Sequence, residues 1–314
     1  MGISEHARLW LLDVGKGGPV GKSIVHRLHF EQGRSDIAPG GGALLYAAAR
    51  NARPRFTRAL ATGFVISRWN IRQRFARAAR HFDIVASLGH PFSVGPREQV
   101  ELLQIPEVAE GYRLTLDQPS WLSRDGLLTL SLWVGSDRYF SLSFVLGSER
   151  GRLVAHVGGL QGRAEEGALE VYRALTKAAH GMRPRDLLIE LFRIVCEEAG
   201  VQTIFAASST THYHRSLYYR LFKRCETPTM NYDTAWSDRG GVLRPDGLFE
   251  LKPGFHLRNL DEVPAKKRSM YRNRQGMLCD LRSNLALALA IPERLVVSKH
   301  GDPPRSYSAG NYIF

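Results

Sequence analysis

The feature that most constrains this 314-residue chain is a pair of alternating runs joined by a turn. Leu128, Leu130, Leu132 and Val134 alternate with Thr129, Ser131 and Trp133, and Phe140, Leu142, Phe144 and Leu146 alternate with Ser141 and Ser143. Side chains along a strand point to opposite faces in turn, so each run lays its large apolar residues on one side. Gly135-Ser136-Asp137 reads as the turn between them, which predicts a hairpin with one face buried. A third strand, Leu153 to Val157, follows Gly151, and Gly158, Gly159 and Gly162 cluster behind it.

The periodicity then becomes helical. Glu165 to Ala179 places Ala168, Val171, Tyr172 and Leu175 on one side. Arg185 to Ala199 separates an apolar face (Leu188, Leu191, Phe192, Val195, Ala199) from a polar one (Asp186, Glu190, Arg193, Glu197). Gly200 stands where a helix C-terminal glycine belongs. Val201 to Ala207 reads as a buried strand and Tyr218 to Arg224 as a short helix. Two strand-like pieces surround Gly240-Gly241 and Asp246-Gly247, and a basic helix follows Pro264. Antiparallel strands, two helices and a parallel-type strand make the class α/β, a mixed sheet flanked by helices. Upstream, residues 1–43 are glycine-rich and residues 44–82 read as helical. The expected division is 1–109, a mostly helical basic region, and 110–314, the α/β core with its basic C-terminal helix.

Composition narrows the partners. Apolar residues make up 44% of the chain, which excludes global disorder. Lys and Arg number 43 against 30 Asp and Glu, a formal charge of +13 that favours nucleic acid, anionic lipid or phosphate-bearing ligands. Between Asp36 and Asp83 no acid interrupts Arg50, Arg53, Arg55, Arg58, Arg68, Arg72, Arg74, Arg77 and Arg80. Interleaved with Phe64, Trp69, Ile71 and Phe75, this stretch suits a solvated helical face, an anionic membrane surface, or nucleic-acid phosphates. Cys196, Cys225 and Cys279 form no CxxC pair, so neither a disulfide framework nor a cysteine zinc site is expected, and a reducing compartment is. No run approaches the roughly 20 apolar residues that span a bilayer, and Leu9 to Leu12 is too short for a signal peptide. The expectation is a soluble, cytoplasmic protein.

Four motifs carry candidate chemistry. Gly15 to Ser23 imitates a phosphate-binding loop, but neither glycine spacing fits and Pro19 removes a donor. Ala179 to Arg185 leads into the second helix with Arg183 and Arg185, beside Lys177, His180 and Gly181. A helix start with added positive charge seats an anion such as a pyrophosphate, or it is a capping loop made basic for solubility. His212-Tyr213-His214 follows the central strand, with Tyr218 and Tyr219 nearby. These histidines suit acid–base work, structural hydrogen bonds, or a metal for which no partner carboxylate is evident. Asp233, within Asn231 to Trp236, is either a carboxylate tuned by aromatics or a strand start.

Together these landmarks resemble the VirK/YbjX family. The matching stretches are Gly158 to Arg163, Thr176 to Pro184, His212-Tyr213, Tyr232-Asp233 with Trp236, Gly240-Gly241, Asp246-Gly247, Lys267-Arg268 and Tyr271-Arg272, covering roughly residues 75–285. The resemblance implies a bacterial role in virulence, outer-membrane maintenance and resistance to cationic antimicrobial peptides. The order of elements also resembles the GNAT acyltransferase core: a strand, a phosphate loop, a long helix, a second strand and a tyrosine-bearing helix. On that resemblance the chain transfers an acyl or aminoacyl group to an amine or hydroxyl of a small molecule or envelope component. Lys177, His180, Gly181, Arg183 and Arg185 would hold the phosphates of an acyl-CoA or aminoacyl-tRNA donor. His212 or His214 would take the acceptor proton, Tyr219 would protonate the leaving group, and Asp233 would assist; no metal is required. The rival reading is a non-enzymatic protein peripheral to the inner membrane.

Overall fold

A computed structural model describes residues 46–47, 54–163, 165–222, 230–257 and 259–299. Gly15 to Ser23, Arg50, Arg53 and Cys225 lie outside the described residues. In chain order the elements are α1 (Pro54–Thr62), α2 (Ile71–Leu88), β1 (Glu98–Gln104), β2 (Tyr112–Asp117), β3 (Leu128–Val134), β4 (Asp137–Glu149) and β5 (Arg152–Gly162). There follow α3 (Ala168–Ala178), α4 (Pro184–Glu198), β6 (Thr203–Ala207), α5 (Leu217–Phe222), α6 (Tyr232–Ser237), β7 (Val242–Leu243), β8 (Leu248–Leu251), α7 (Ala265–Ala290) and β9 (Val296–Lys299). The strands form one sheet in the order β7-β8-β6-β5-β4-β3-β2-β1-β9. β5 and β6 run parallel, and the other neighbours are antiparallel.

The hairpin forms as β3 and β4, with Leu130 opposite Leu142 and Leu132 opposite Phe140. Register aligns Leu116, Leu130, Leu142 and Leu160 in a row across β2 to β5, all fully buried. α4 packs on this face, where Phe192 meets Phe144 with ring centroids 4.8 Å apart. The expectation of a solvated opposite face is corrected. Thr115, Ser131 and Ser141 form one buried polar row there, and Asp117, Thr129 and Ser143 form the next. Alternation reports polarity, and burial follows only if the polar groups find partners. Here they do: Thr129 Oγ1 lies 2.9 Å from Ser143 Oγ, Ser131 Oγ lies 3.0 Å from Ser141 Oγ, and Arg138 pairs with Asp117.

α4 differs from expectation in the same way. Most of its polar face is buried, with Glu190 wholly enclosed, Arg193 nearly so and Asp186 covered, while Glu197 stays partly exposed. Arg193 donates to the carbonyls of Lys252 and Arg239, and Glu190 accepts from His256 N at 2.7 Å, so the chain after α6 closes over this face. Tyr232 to Ser237 is a helix capped by Asn231, not a strand start. α7 packs on α4 and β1. α2 lies against β4, and His81 Nδ1 accepts the Leu146 amide at 3.0 Å. Phe64 and Trp69 belong to the core and Arg74 donates to the carbonyls of Trp69, Leu60 and Ala61, so this part of the arginine-rich stretch is structural. The expected boundary at residues 109/110 falls between the paired strands β1 and β2. Among the described residues no helix is long and apolar enough to cross a membrane.

Candidate functional site

Pairing of the parallel strands stops at Val157 and Ala206. Beyond it β5 continues through Gly158 and Gly159, while the chain after β6 turns away through Ser208 to Ser216. The β2–β3 connection fills the divergence with Asp125. A Cβ on Gly158 would collide with the Asp125 carbonyl oxygen, and one on Gly159 with its carboxylate. Glycine is therefore required at both positions by close approach.

Four groups converge on that carboxylate or its neighbour. Gln161 Nε2 donates to Asp125 Oδ2 at 3.1 Å, and His212 Nε2 lies 3.4 Å from Oδ1. Tyr232 stacks on His212 (4.9 Å, 26°), with its hydroxyl 3.3 Å from Nε2. The His214 amide donates a long 3.5 Å bond to His212 Nδ1, so that Nε2 faces the carboxylate and the phenol. Loops hold this arrangement: Ser67 N donates to Thr211 O, and Val65 N to Arg124 O. Asp233 accepts from Ser209 N at 2.8 Å and thereby positions the loop that carries His212.

Burial pushes the Asp125 carboxyl above its ordinary range, against the opposing pull of His212, Arg124 and Gln161. His214 is pushed down to about 3 by burial, then by His212, Arg124 and Arg215. It is thus neutral at physiological pH, and its Nδ1 has no hydrogen-bond partner among the described residues. Its ring lies 5.1 Å from that of Tyr219, over which the Arg124 guanidinium sits at 5.4 Å. The cluster can therefore hold and pass a proton among carboxyl, imidazole and phenol, and it offers a neutral imidazole as an acceptor. Among the described residues no group of His, Cys, Asp and Glu is placed to hold a metal ion.

The structure thus brings His212, His214 and Tyr219 together, with Asp233 as their support. Asp125, Arg124 and Tyr232 complete the cluster, and sequence reasoning gave none of them a catalytic role. The Gly158-Gly159 pair signals that something packs closely on β5, but not which residue does. The second predicted group lies on the α3–α4 turn. Lys177 and Arg183 are exposed there, His180 has φ of 51° and Gly181 of 75°. Arg185 donates to Asp186 at 3.0 Å and lies 3.6 Å from Asp238. α7 packs over the turn: Arg274 donates to His180 O at 2.9 Å, and Met270 abuts Gly181. Tyr232 and Asp238 bracket α6, so the two groups sit at opposite ends of a helix about 9 Å long.

A different histidine–carboxylate pair lies nearby, across β5 and β4. His156 Nε2 is 3.2 Å from Glu149 Oε1, and Arg77 lies 3.5 Å from the same oxygen while covering Trp69. The hydrogen bond with His156, with help from the charges of His156 and Arg77, takes the Glu149 carboxyl down to about 2.

Residues 43–286 match the family described as a protein of unknown function (DUF535). The chain belongs to the DUF535 family. An "Uncharacterized protein" of Haemophilus influenzae is 29% identical over 226 residues, 71% of this chain and 72% of the relative. "Uncharacterized protein YbjX" of Escherichia coli K12 is 31% identical over 137 residues, 44% of this chain and 41% of YbjX. No solved structure matches this DUF535 chain.

Proposed function

We propose that this DUF535 protein is an acyl- or aminoacyl-transferase whose acceptor meets the His212–His214 loop and whose phosphate-bearing donor meets the α3–α4 turn. One observation carries the reading: the only parallel strand pair among the described residues brackets α4 in sequence and parts where a buried carboxylate, an imidazole and a phenol converge. The succession β5, α3, turn, α4, β6, then α5 with Tyr218 and Tyr219, follows the order of the GNAT core apart from the inserted helix α3. Ligands of open α/β sheets sit beyond the carboxyl ends of such strands.

In this reading Lys177 and Arg183 attract the donor's phosphates. His214 aims the acceptor amine or hydroxyl at the donor carbonyl, and the His212–Asp125 pair takes its proton as the nucleophile attacks. The new carbon–nitrogen or carbon–oxygen bond forms, the bond to the donor's sulfur or oxygen breaks, and Tyr219 protonates the leaving group. Asp125, Tyr232 and Gln161 fix His212, and His212 in turn sets the loop. The test is transfer of a labelled group from acyl-CoA or aminoacyl-tRNA to a small amine, read by mass spectrometry. Transfer is expected, with His214→Asn slowing it by about 100-fold or more. No turnover with any donor, or full turnover by His214→Asn, overturns the reading.

A second reading has its own observation. Arg185 is engaged by Asp186 and Asp238, and α7 closes over the turn that would hold the donor. This packing suits a former transferase serving as a scaffold on anionic inner-membrane lipid, in support of the outer membrane and of antimicrobial-peptide resistance. Lys266, Lys267 and Arg272, all exposed on α7, supply the charge. Such a protein sediments with anionic vesicles and not with neutral ones; equal binding to both rejects it.

A further inference from the structure

Lys267 and Tyr271, two of the landmarks on the basic helix, have no part in the His212 cluster. They line a cavity of about 530 Å³ between the start of α7 and the chain before it, together with His256, Asn259 and Glu262. That volume is in the range of small-ligand sites. The same face of α7 continues through Met270 to Arg274, which touch Gly181 and His180. The cavity therefore lies on the helix face that meets the α3–α4 turn, with about 10 Å of helix between Lys267 and Arg274.

The lining has the chemistry of a nucleotide site. Lys267 offers a point charge to phosphate. Arg274 covers one face of the Tyr271 ring at 4.5 Å, and the opposite face is the one offered to a base. Glu262 can accept from the hydroxyls of a ribose, as acidic residues do in dinucleotide sites. Asn259 Oδ1 accepts from Asp261 N at 3.1 Å, which orients the side chain and leaves its NH₂ to donate to a ring nitrogen of adenine. Lys266, Arg268 and Arg272 raise the local positive potential.

We propose that this cavity binds the adenosine phosphate portion of the donor, a portion common to CoA and to the 3′ end of an aminoacyl-tRNA. The proposal rests on the transferase reading for the word donor, and on the cavity for the rest. Calorimetry on the full chain with AMP, 3′,5′-ADP, 3′-aminoacyl-AMP analogues, ribose 5-phosphate and inorganic phosphate tests it. Adenine nucleotides are expected to bind at least tenfold tighter than ribose 5-phosphate or phosphate. Tyr271→Ala is expected to erase that preference, and the exposed Lys267→Ala to weaken all phosphate ligands about tenfold. Preference for 3′,5′-ADP assigns the source to CoA, and preference for the aminoacyl analogue assigns it to tRNA. Adenine nucleotides that bind no better than phosphate, or binding unchanged in both variants, overturn the proposal. His214→Asn separates the two claims: nucleotide binding without transfer by any enzyme form removes the transferase reading and leaves the cavity. Transfer with an unchanged donor KM in Lys267→Ala and Tyr271→Ala removes the cavity and leaves the transferase.

Discussion

His156–Glu149 and His212–Asp125 lie on either side of the point where β5 and β6 part, and they pair the same chemical groups at 3.2 and 3.4 Å. Their electrostatics are opposite. Glu149 is 38% exposed, shares Arg77, and stays ionised. Asp125 is enclosed, has an amide and an imidazole as its partners, and is driven toward its protonated form. In the first, Arg77 and Glu149 form the ion pair that fastens α2 to the sheet, while burial pushes His156 toward its neutral form. The second is a site where a proton can change hands. Distance between the groups does not distinguish them; access to water and direct contact with a guanidinium do.

Packing gives the largest contrast. Gly158→Ala would drive a Cβ into the Asp125 backbone, which cannot swing aside, and is expected to destabilise the protein by about 3 kcal/mol or more in urea unfolding. A Gly158→Ala protein as stable as the parent would mean that Asp125 is not seated against β5.

The pH dependence separates the carboxylates next. Glu149 has its folded value lowered, from 4.5 to about 2, so its stabilisation is present above pH 4.5 and is lost as pH falls toward 2. Screening of a partly exposed group reduces that to about 1 kcal/mol. Glu149→Gln should therefore be less stable than the parent at pH 6 and nearly equal to it at pH 2.5. Asp125 has its folded value raised, so its contribution is complete below the ordinary aspartate value and is lost as pH rises through the folded one. The deficit of Asp125→Asn relative to the parent should therefore shrink as pH rises, opposite in sign to Glu149→Gln. Parallel pH profiles would remove the distinction between the pairs.

The smallest effect lies beside His156. A Cβ on Gly147 meets the His156 ring and Val154 at 3.7 Å, an ordinary contact. Gly147→Ala should change stability by less than about 1 kcal/mol, in the stabilising direction. A large loss in thermal or urea unfolding would show this side of β5 to be as crowded as the other.

Much of the central sheet was legible because alternation survives in β3 and β4 and because β5, α4 and β6 carry their own periodicities. β1 was hidden: its register shifts between Glu101 and Leu103, so Leu102 and Leu103 break the alternation. β9 was hidden because it has four residues only, and its adjacent Val296 and Val297 are both exposed and do not alternate. His212, His214 and Tyr219 could be proposed from their place after a central strand. Asp125 could not, since it arrives from a loop with no local pattern.

The sequence by itself determined the leucine rows, the helical faces, the proline and glycine punctuation of α4 and the excess of positive charge, because each is written in spacing or composition. Tertiary structure alone decided that Ser131 and Ser141 are buried, that Glu190 and Arg193 are enclosed, and that Asp125 faces His212 while Glu149 faces Arg77. Whether a polar group is enclosed, and beside which charge, depends on residues far apart in the chain. Those two circumstances set the free energy of ionisation and so separate a structural pair from a reactive one.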